Sequence, residues 1–309
     1  MEETFNKPKE LVDFKFDEIS GGNRAKTFDI SRGKENYIFQ CYYDASRHEA
    51  KKKFDVTQRI KKLYPNCRIN NVYRYKDDEK YSYIIAEKIQ GEPLSNLHKR
   101  NESIEINSFK DIAITFSQIH STPAIGGFSY FRGDNSTSGI FLGKYFNTFS
   151  EYIQSEIDWL NEGLNDKLAT NDINSVLNKQ NELIEYLSRN NRSKPTLTWR
   201  DLNAENIMVA DNRFASIIDA GGTANIIPEY DIAFLKTNVC NNSNEYNVLL
   251  SEYKKLNPIV DVALIDKLTI LTEIEAMCVK TIRNINIKTP FDPNFKTIYE
   301  KLNKLKVNN

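Results

Sequence analysis

The hydrophobic spacing of this 309-residue chain changes period at Gly91-Glu92-Pro93, and that change limits the architectures open to it. Before that point Val12, Phe14 and Phe16 alternate, and Ser20-Gly21-Gly22-Asn23 signals a turn. Residues 27–30 and 36–43 are rich in aromatic and β-branched side chains. Period two between turn signals predicts strands. A polar, basic helix is expected over roughly 46–64, with Phe54, Ile60 and Leu63 as its apolar stripe, and two strands after it, 69–75 and 81–88. Beyond Pro93 helical periodicity dominates. Phe109, Ile112, Ala113, Phe116 and Ile119 share one face, and so do Phe149, Ile153, Ile157 and Leu160. Ile173, Val176, Leu177, Ile184 and Leu187 form a third stripe, and 262–285 reads as a buried helix. The exception is a β-like stretch at 197–200, 207–209 and 214–218. The expected class is α+β: a small antiparallel-sheet lobe, residues 1–90, and a larger, mainly helical lobe, residues 91–309. The cleft between two lobes is a natural ligand site.

Within 198–223 three polar groups stand out: Asp201, Asn206 and Asp219. Asp201 and Asn206 bracket a tight loop between short strands. Asp219 ends the apolar run Phe214, Ile217, Ile218 and precedes Gly221. These residue types suit phosphoryl transfer to a hydroxyl. One carboxylate orients the hydroxyl and accepts its proton, and hard oxygen donors hold Mg2+ on the triphosphate. Asp201 is the expected base, and Asn206 and Asp219 the expected metal ligands.

The segment resembles the catalytic and metal loops of the protein-kinase-like superfamily, in particular its aminoglycoside phosphotransferase and choline kinase branch. That branch reads His-Gly-Asp-Leu-x-x-x-Asn, then an apolar strand ending in Ile-Asp, then Asp-Leu-Ala. The matching positions are Trp199-Arg200-Asp201-Leu202, Asn206, Ile218-Asp219 and Tyr230-Asp231-Ile232-Ala233. The resemblance implies a bilobal protein-kinase-like fold, with ATP (GTP not excluded) and Mg2+ as cofactors. It gives Asp231 the role of supporting the catalytic loop by hydrogen bonds. It puts Ser20, Gly21 and Gly22 in the turn over the phosphates, the backbone of Glu87 and Ile89 against the adenine, and Glu49 as the helix glutamate that pairs with a strand lysine. Phe116–His120 followed by Ser121-Thr122-Pro123 also looks like the family's helix end.

Two positions depart from the pattern. Gln40 falls where the strand should carry the phosphate-binding cation. Either the correspondence is shifted by a few residues, or Lys26 or Lys34 substitutes, or catalysis is weak. Trp199 replaces the usual histidine, which implies a packing change and not lost chemistry. Only eleven residues separate Asp219 from Asp231, too few for the activation segment of a protein kinase, so a small-molecule acceptor is expected. Asp158, Glu162, Glu229, Glu273 and Glu275 are the acids that could face a polycationic acceptor, although exposed helix charges are the simpler explanation. An aminoglycoside-like antibiotic or related metabolite is the first choice of acceptor, and choline or an amino sugar the second. A pseudokinase that binds nucleotide without turnover is the reading from another class.

Bulk properties narrow the field. With 42 basic and 42 acidic residues the formal charge is zero, which argues against nucleic acid as a partner. The four cysteines lack metal-ligand spacing, and His48, His98 and His120 do not cluster. The N-terminal residues are polar and no apolar run reaches ~18 residues, so no membrane partner and a cytoplasmic location are expected. A monomer or weak dimer is the expected state.

Overall fold

A computed structural model of the chain describes residues 11–21, 25–42, 49–77, 82–133, 140–164, 170–190 and 194–283. The N-terminal part is built from β1 (Lys15–Gly21), β2 (Ala25–Arg32), β3 (Glu35–Tyr42), α1 (Glu49–Leu63), β4 (Val72–Asp77) and β5 (Ser82–Glu87). The strands form one antiparallel sheet in the order β1-β2-β3-β5-β4.

Successive strand residues point to opposite faces, so each strand serves two environments. On one face Phe28, Phe39 and Tyr83 pack with Phe16, their rings 5.0–6.1 Å apart. On the other face Ala25, Tyr42, Ile84 and Ala86 meet Ala50 and Phe54 of α1. The buried side of α1 is Ala50, Lys52, Lys53, Val56, Thr57 and Ile60. This corrects the expected stripe at its end: Leu63 is 50% exposed, and two lysines take positions on the inner face.

The rest of the chain runs β6 (Glu92–Pro93), α2 (Leu94–Lys99), α3 (Ser108–His120), β7 (Phe128–Gly133), β8 (Ile140–Phe146), α4 (Phe149–Leu164), α5 (Thr170–Arg189) and β9 (Thr196–Thr198). It continues through β10 (Ile207–Ala210), β11 (Arg213–Ile217), a 3-10 turn at Ala220–Gly222 and β12 (Ala224–Ile226). Helices α6 (Pro228–Asn238), α7 (Ser243–Leu256) and α8 (Val262–Arg283) complete it. Alongside the expected helices lies a four-stranded sheet, β8-β7-β12-β9, of which only β9 was expected as a strand. β9 and β12 are three residues each, too short to show a period, and β12 pairs with β7 from far along the chain.

Two backbone seams tie the β10–β11 hairpin to earlier parts of the chain, the second of them to the N-terminal part. β6 pairs with β10 through Met208↔Pro93 and Val209↔Glu92. Segment 68–70 runs beside β11, with Asn70 N donating to Ile217 O (3.0 Å) and Ile217 N to Arg68 O (2.9 Å). Gly91 is required at the first seam. Its φ is +112°, and a Cβ there would stand 2.0 Å from Val209 O. Among the described residues no helix is long and apolar enough to cross a membrane.

Candidate active site

The β10–β11 hairpin and the turn after it bring Asp201, Asn206 and Asp219 together. Asn206 Nδ2 donates to Asp201 O (3.0 Å), and Ile218 N donates to Asn206 O (2.9 Å), so the loop is bonded to the residue before Asp219. Asn203 closes the loop from within: its Oδ1 accepts from Glu205 N (2.9 Å) and Asn206 N (3.1 Å). Asp201 itself is exposed, as a proton acceptor for an incoming hydroxyl must be. Gly222 passes directly behind it. A Cβ there would lie 2.4 Å from Asp201 Cβ and 2.7 Å from Asp201 N.

A buried acid supports this loop. Asp231, at the start of α6, is fully buried and accepts from Trp199 N (2.7 Å) and Arg200 N (2.8 Å). His120 Nε2 donates to the same carboxylate (3.0 Å), and its other ring nitrogen meets the Tyr253 hydroxyl at 2.7 Å. The support is needed because Arg200 sits at φ +62°, strained for a non-glycine residue. The Arg200 guanidinium is held by Glu156 of α4 at 2.6 Å. Neither Glu156 nor the His120 contact was expected from sequence. Trp199 is fully buried, in keeping with a packing role.

Asp219 adopts φ +64° and its Oδ1 accepts from Gly221 N (2.9 Å). The same oxygen lies 2.7 Å from Lys53 Nζ. Burial pushes the Asp219 carboxyl up, but the Lys53 ammonium and the Gly221 N–H outweigh it and leave the group below its usual range. Lys53 Nζ also donates to Gln40 Oε1 (2.8 Å), which accepts in turn from the Tyr42 hydroxyl (2.8 Å). Burial opposes the Lys53 charge too, yet Asp219 and Tyr42 raise its pKa above the ordinary lysine value. Lys52, also 4% exposed, donates to the Gly221 carbonyl. Burial, and Lys53 beside it, lower its pKa to about 8 against the opposing charge of Glu49.

The cation near Gln40 is therefore neither Lys26 nor Lys34. Lys34 is exposed in the β2–β3 turn. Lys26 stands opposite Cys41, on the sheet face away from α1. Glu49 begins α1 one turn before Lys53, and its charge acts on Lys52. Ser20 and Gly21 end β1; Gly22 lies outside the described residues. Glu87 closes β5, and its carboxylate accepts from Asn71 N (3.0 Å) and Asn71 Nδ2 (2.7 Å). This pins the start of the 88–90 segment that contains Ile89.

The expected acceptor acids divide. Glu229 is buried and accepts from Asp261 N (3.1 Å), so it braces the start of helix α8. Asp158 is exposed and accepts from Gln154 Nε2 (2.8 Å). Glu273 is half-buried on α8, while the side chains of Glu162 and Glu275 lie outside the described residues.

Asn206 and Asp219 offer a metal the right donors. The Asn206 amide spends its nitrogen on Asp201 O, which makes its oxygen the end offered to a cation, and Asp219 is held ionised. One or two such oxygens plus phosphate and water is the usual Mg2+ environment. Among the described residues no group of three His, Cys, Asp or Glu could hold a metal alone.

Comparison with known proteins agrees with this geometry. A profile of the phosphotransferase enzyme family matches residues 15–253. No curated protein matches the chain. Among solved structures, a thermostable mutant of aminoglycoside phosphotransferase APH(4)-Ia, in ternary complex with ADP and hygromycin B, superposes with a TM-score of 0.69. Its identity to this chain is 14%, over 97% of this chain and 95% of that one. The GDP and kanamycin complex of APH(2")-IIia gives a TM-score of 0.66 at 15% identity, over 96% and 94%. The ADP-bound APH(2'')-Ib gives 0.63 at 17% identity, over 95% and 94%. At these identities the likeness establishes the fold.

Proposed function

Since the chain belongs to the phosphotransferase enzyme family, we propose that it transfers the γ-phosphoryl group of ATP, with Mg2+, to a hydroxyl of a small molecule. The acceptor class we propose is an aminoglycoside-like antibiotic or a related hydroxylated metabolite. The observation that carries this reading is the joining of three groups in one loop system: Asp201 exposed, Asn206 bonded to its carbonyl, and Asp219 directly after Ile218, whose N–H is bonded to Asn206.

Asp201 orients the acceptor hydroxyl and takes its proton, and the bonds that fix it hold that geometry before substrate arrives. Bound Mg2+, held by Asn206 and Asp219, would neutralise charge on the phosphates. A small acceptor follows from what fills the eleven residues between Asp219 and Asp231. They form a turn, a strand paired on both sides and the start of α6, with no platform for a polypeptide. The similar structures bound to hygromycin B or kanamycin, with ADP or GDP, support the acceptor class and leave the choice between ATP and GTP to experiment. We further propose cytoplasmic action as a monomer or weak dimer, without nucleic acid or membrane.

Nucleotide consumption measured against a panel of aminoglycosides, other antibiotics, choline and sugars tests the proposal. Turnover with one acceptor class is expected. Asp201→Asn should lower kcat by about 10²–10⁴-fold, the usual share of general base catalysis, with nucleotide affinity nearly unchanged. Turnover that survives Asp201→Asn would overturn the base assignment. Nucleotide binding without turnover of any acceptor would favour the pseudokinase.

A further inference from the structure

The phosphates of a bound nucleotide need a cation, and the strand position that should supply one holds the uncharged Gln40. We infer that Lys53, delivered from helix α1, is the cation that contacts those phosphates, with Gln40 as its hydrogen-bond partner on the strand. The inference rests on the phosphotransferase reading.

Sheet parity supports it first. Gln40 and Tyr42 are on the β3 face that looks toward α1, while Tyr37, Phe39 and Cys41 belong to the opposite face. Lys26 shares the Cys41 face, so it cannot reach the cleft side without crossing the sheet. Helix geometry supports it second. Ala50, Lys53, Val56, Thr57 and Ile60 recur at three- and four-residue steps on the buried side of α1. Lys53 is the member of that stripe that ends in a charge. Its ammonium lies 2.7 Å from Asp219 Oδ1 and 2.8 Å from Gln40 Oε1, between the metal-loop acid and the strand.

Energetics argue against a merely structural lysine. Two ammonium groups, each 4% exposed, share this corner; Asp219 is in contact with Lys53, and the charge of Glu49 acts on Lys52. A buried ion pair gives little net stability, and apolar replacement at such places is often neutral or better. Two adjacent buried lysines beside the expected metal loop are an arrangement suited to an anion of high charge. Lys52 holds the Gly221 carbonyl and so positions the turn. The exchange is also self-consistent. The usual arrangement is a strand lysine with a helix glutamate. Here the helix carries the lysine and the strand a neutral amide, so the net charge of the pair is one unit more positive. A lysine at position 40 would set a second ammonium against Lys53, which accounts for the glutamine.

Affinities for MgATP and for adenosine separate the phosphate contribution from that of the base and sugar. Lys53→Met, which keeps the packing of the stem, should weaken MgATP on the order of tenfold or more and leave adenosine within about twofold. The double variant Gln40→Lys/Lys53→Glu, which restores the strand-lysine arrangement, should recover most of the MgATP affinity. Unmodified protein gives an independent readout if Lys53→Met does not fold. An acyl-phosphate derivative of ATP acylates the amine nearest its phosphates, and peptide mapping should find the label on the Lys52–Lys53 peptide, blocked by excess ATP. Label on Lys26 or Lys34, or wild-type MgATP affinity in Lys53→Met, overturns the inference alone. Wild-type protein that binds ATP no better than adenosine overturns the nucleotide reading and the inference with it.

Discussion

Gly222 shows how little room the catalytic loop has. The nearest atoms to an added Cβ are Asp201 Cβ at 2.4 Å, Asp201 N at 2.7 Å and Trp199 O at 3.0 Å. Two of these are backbone, so no rotamer change relieves the clash. In Gly222→Ala the loop must shift, and the shift falls on the base. A misplacement of about 1 Å can cost on the order of 10²-fold in rate. The expected outcome is a kcat reduced by about that factor with the MgATP dissociation constant within a few-fold of wild type. Steady-state kinetics and a nucleotide titration on the same sample check it. An unchanged kcat would mean that the loop tolerates displacement and that the Gly222 contact is not what places Asp201. The neighbouring Gly221 behaves differently, because its added Cβ would meet Asp219 Oδ1 at 2.9 Å and the flexible end of Lys53 at 3.1 Å. There the substitution should act on Lys53 and the phosphates more than on the base.

At the scale of elements, legibility from sequence follows how local each constraint is. The loop from Asp201 to Asp231 was readable because its groups lie within about thirty residues and their order is fixed by a hairpin and a turn. Helix α1 was readable as a helix but not as a ligand-bearing one. Lys51, Lys52, Lys53, Lys61 and Lys62 look alike in a sequence, and only the three- and four-residue spacing with Ala50, Val56, Thr57 and Ile60 marks Lys52 and Lys53 as inward. In the sheet β8-β7-β12-β9, the pairings of β12 were not readable, because β9 and β12 are three residues each and β12 joins β7 from far along the chain. The turn after α1 carries a further consequence. Cys67 is buried there, its thiol facing Thr115 O at 3.9 Å, and burial pushes its pKa up to about 12 against the weaker pull of Lys61. The folded state then keeps a proton that the unfolded thiol loses above pH 9. Stability from this source is present below pH 9 and is lost as pH rises toward 12. By pH 10 the loss is about 1 kcal/mol relative to pH 8. Urea unfolding of wild type and Cys67→Ala at both pH values should show the extra loss only in wild type. Parallel curves would mean that the thiol ionises in the fold as easily as in the unfolded chain.

For the whole molecule, the division expected at residue 90 is not a division of the packing. Val56, Ile60, Cys67 and Ile69, which precede that point, belong to the same buried cluster as Phe116, Ile119, Ile217 and Tyr230. Helix α1 therefore has one side on the N-terminal sheet and its later turns in the core of the helical lobe. The seam of segment 68–70 with β11 and the Lys53–Asp219 pair also join the N-terminal part to the rest of the chain. Independent unfolding of the N-terminal sheet would strip α1 from that core and expose Val56 and Ile60, at about 1.5–3 kcal/mol for each side chain. The expected consequence is a single cooperative transition. It can be read with two probes of different reach. Both tryptophans, Trp159 and Trp199, lie after residue 90, so their fluorescence reports the helical lobe, whereas far-ultraviolet circular dichroism reports both lobes. The two traces should coincide in urea. MgATP at about one hundred times its dissociation constant should move both together, by about 2.7 kcal/mol. Traces that separate, with fluorescence unfolding at the higher urea concentration, would show that the core shared through α1 does not couple the lobes. The ligand would then stabilise only the part that keeps Asp219 and Asn206.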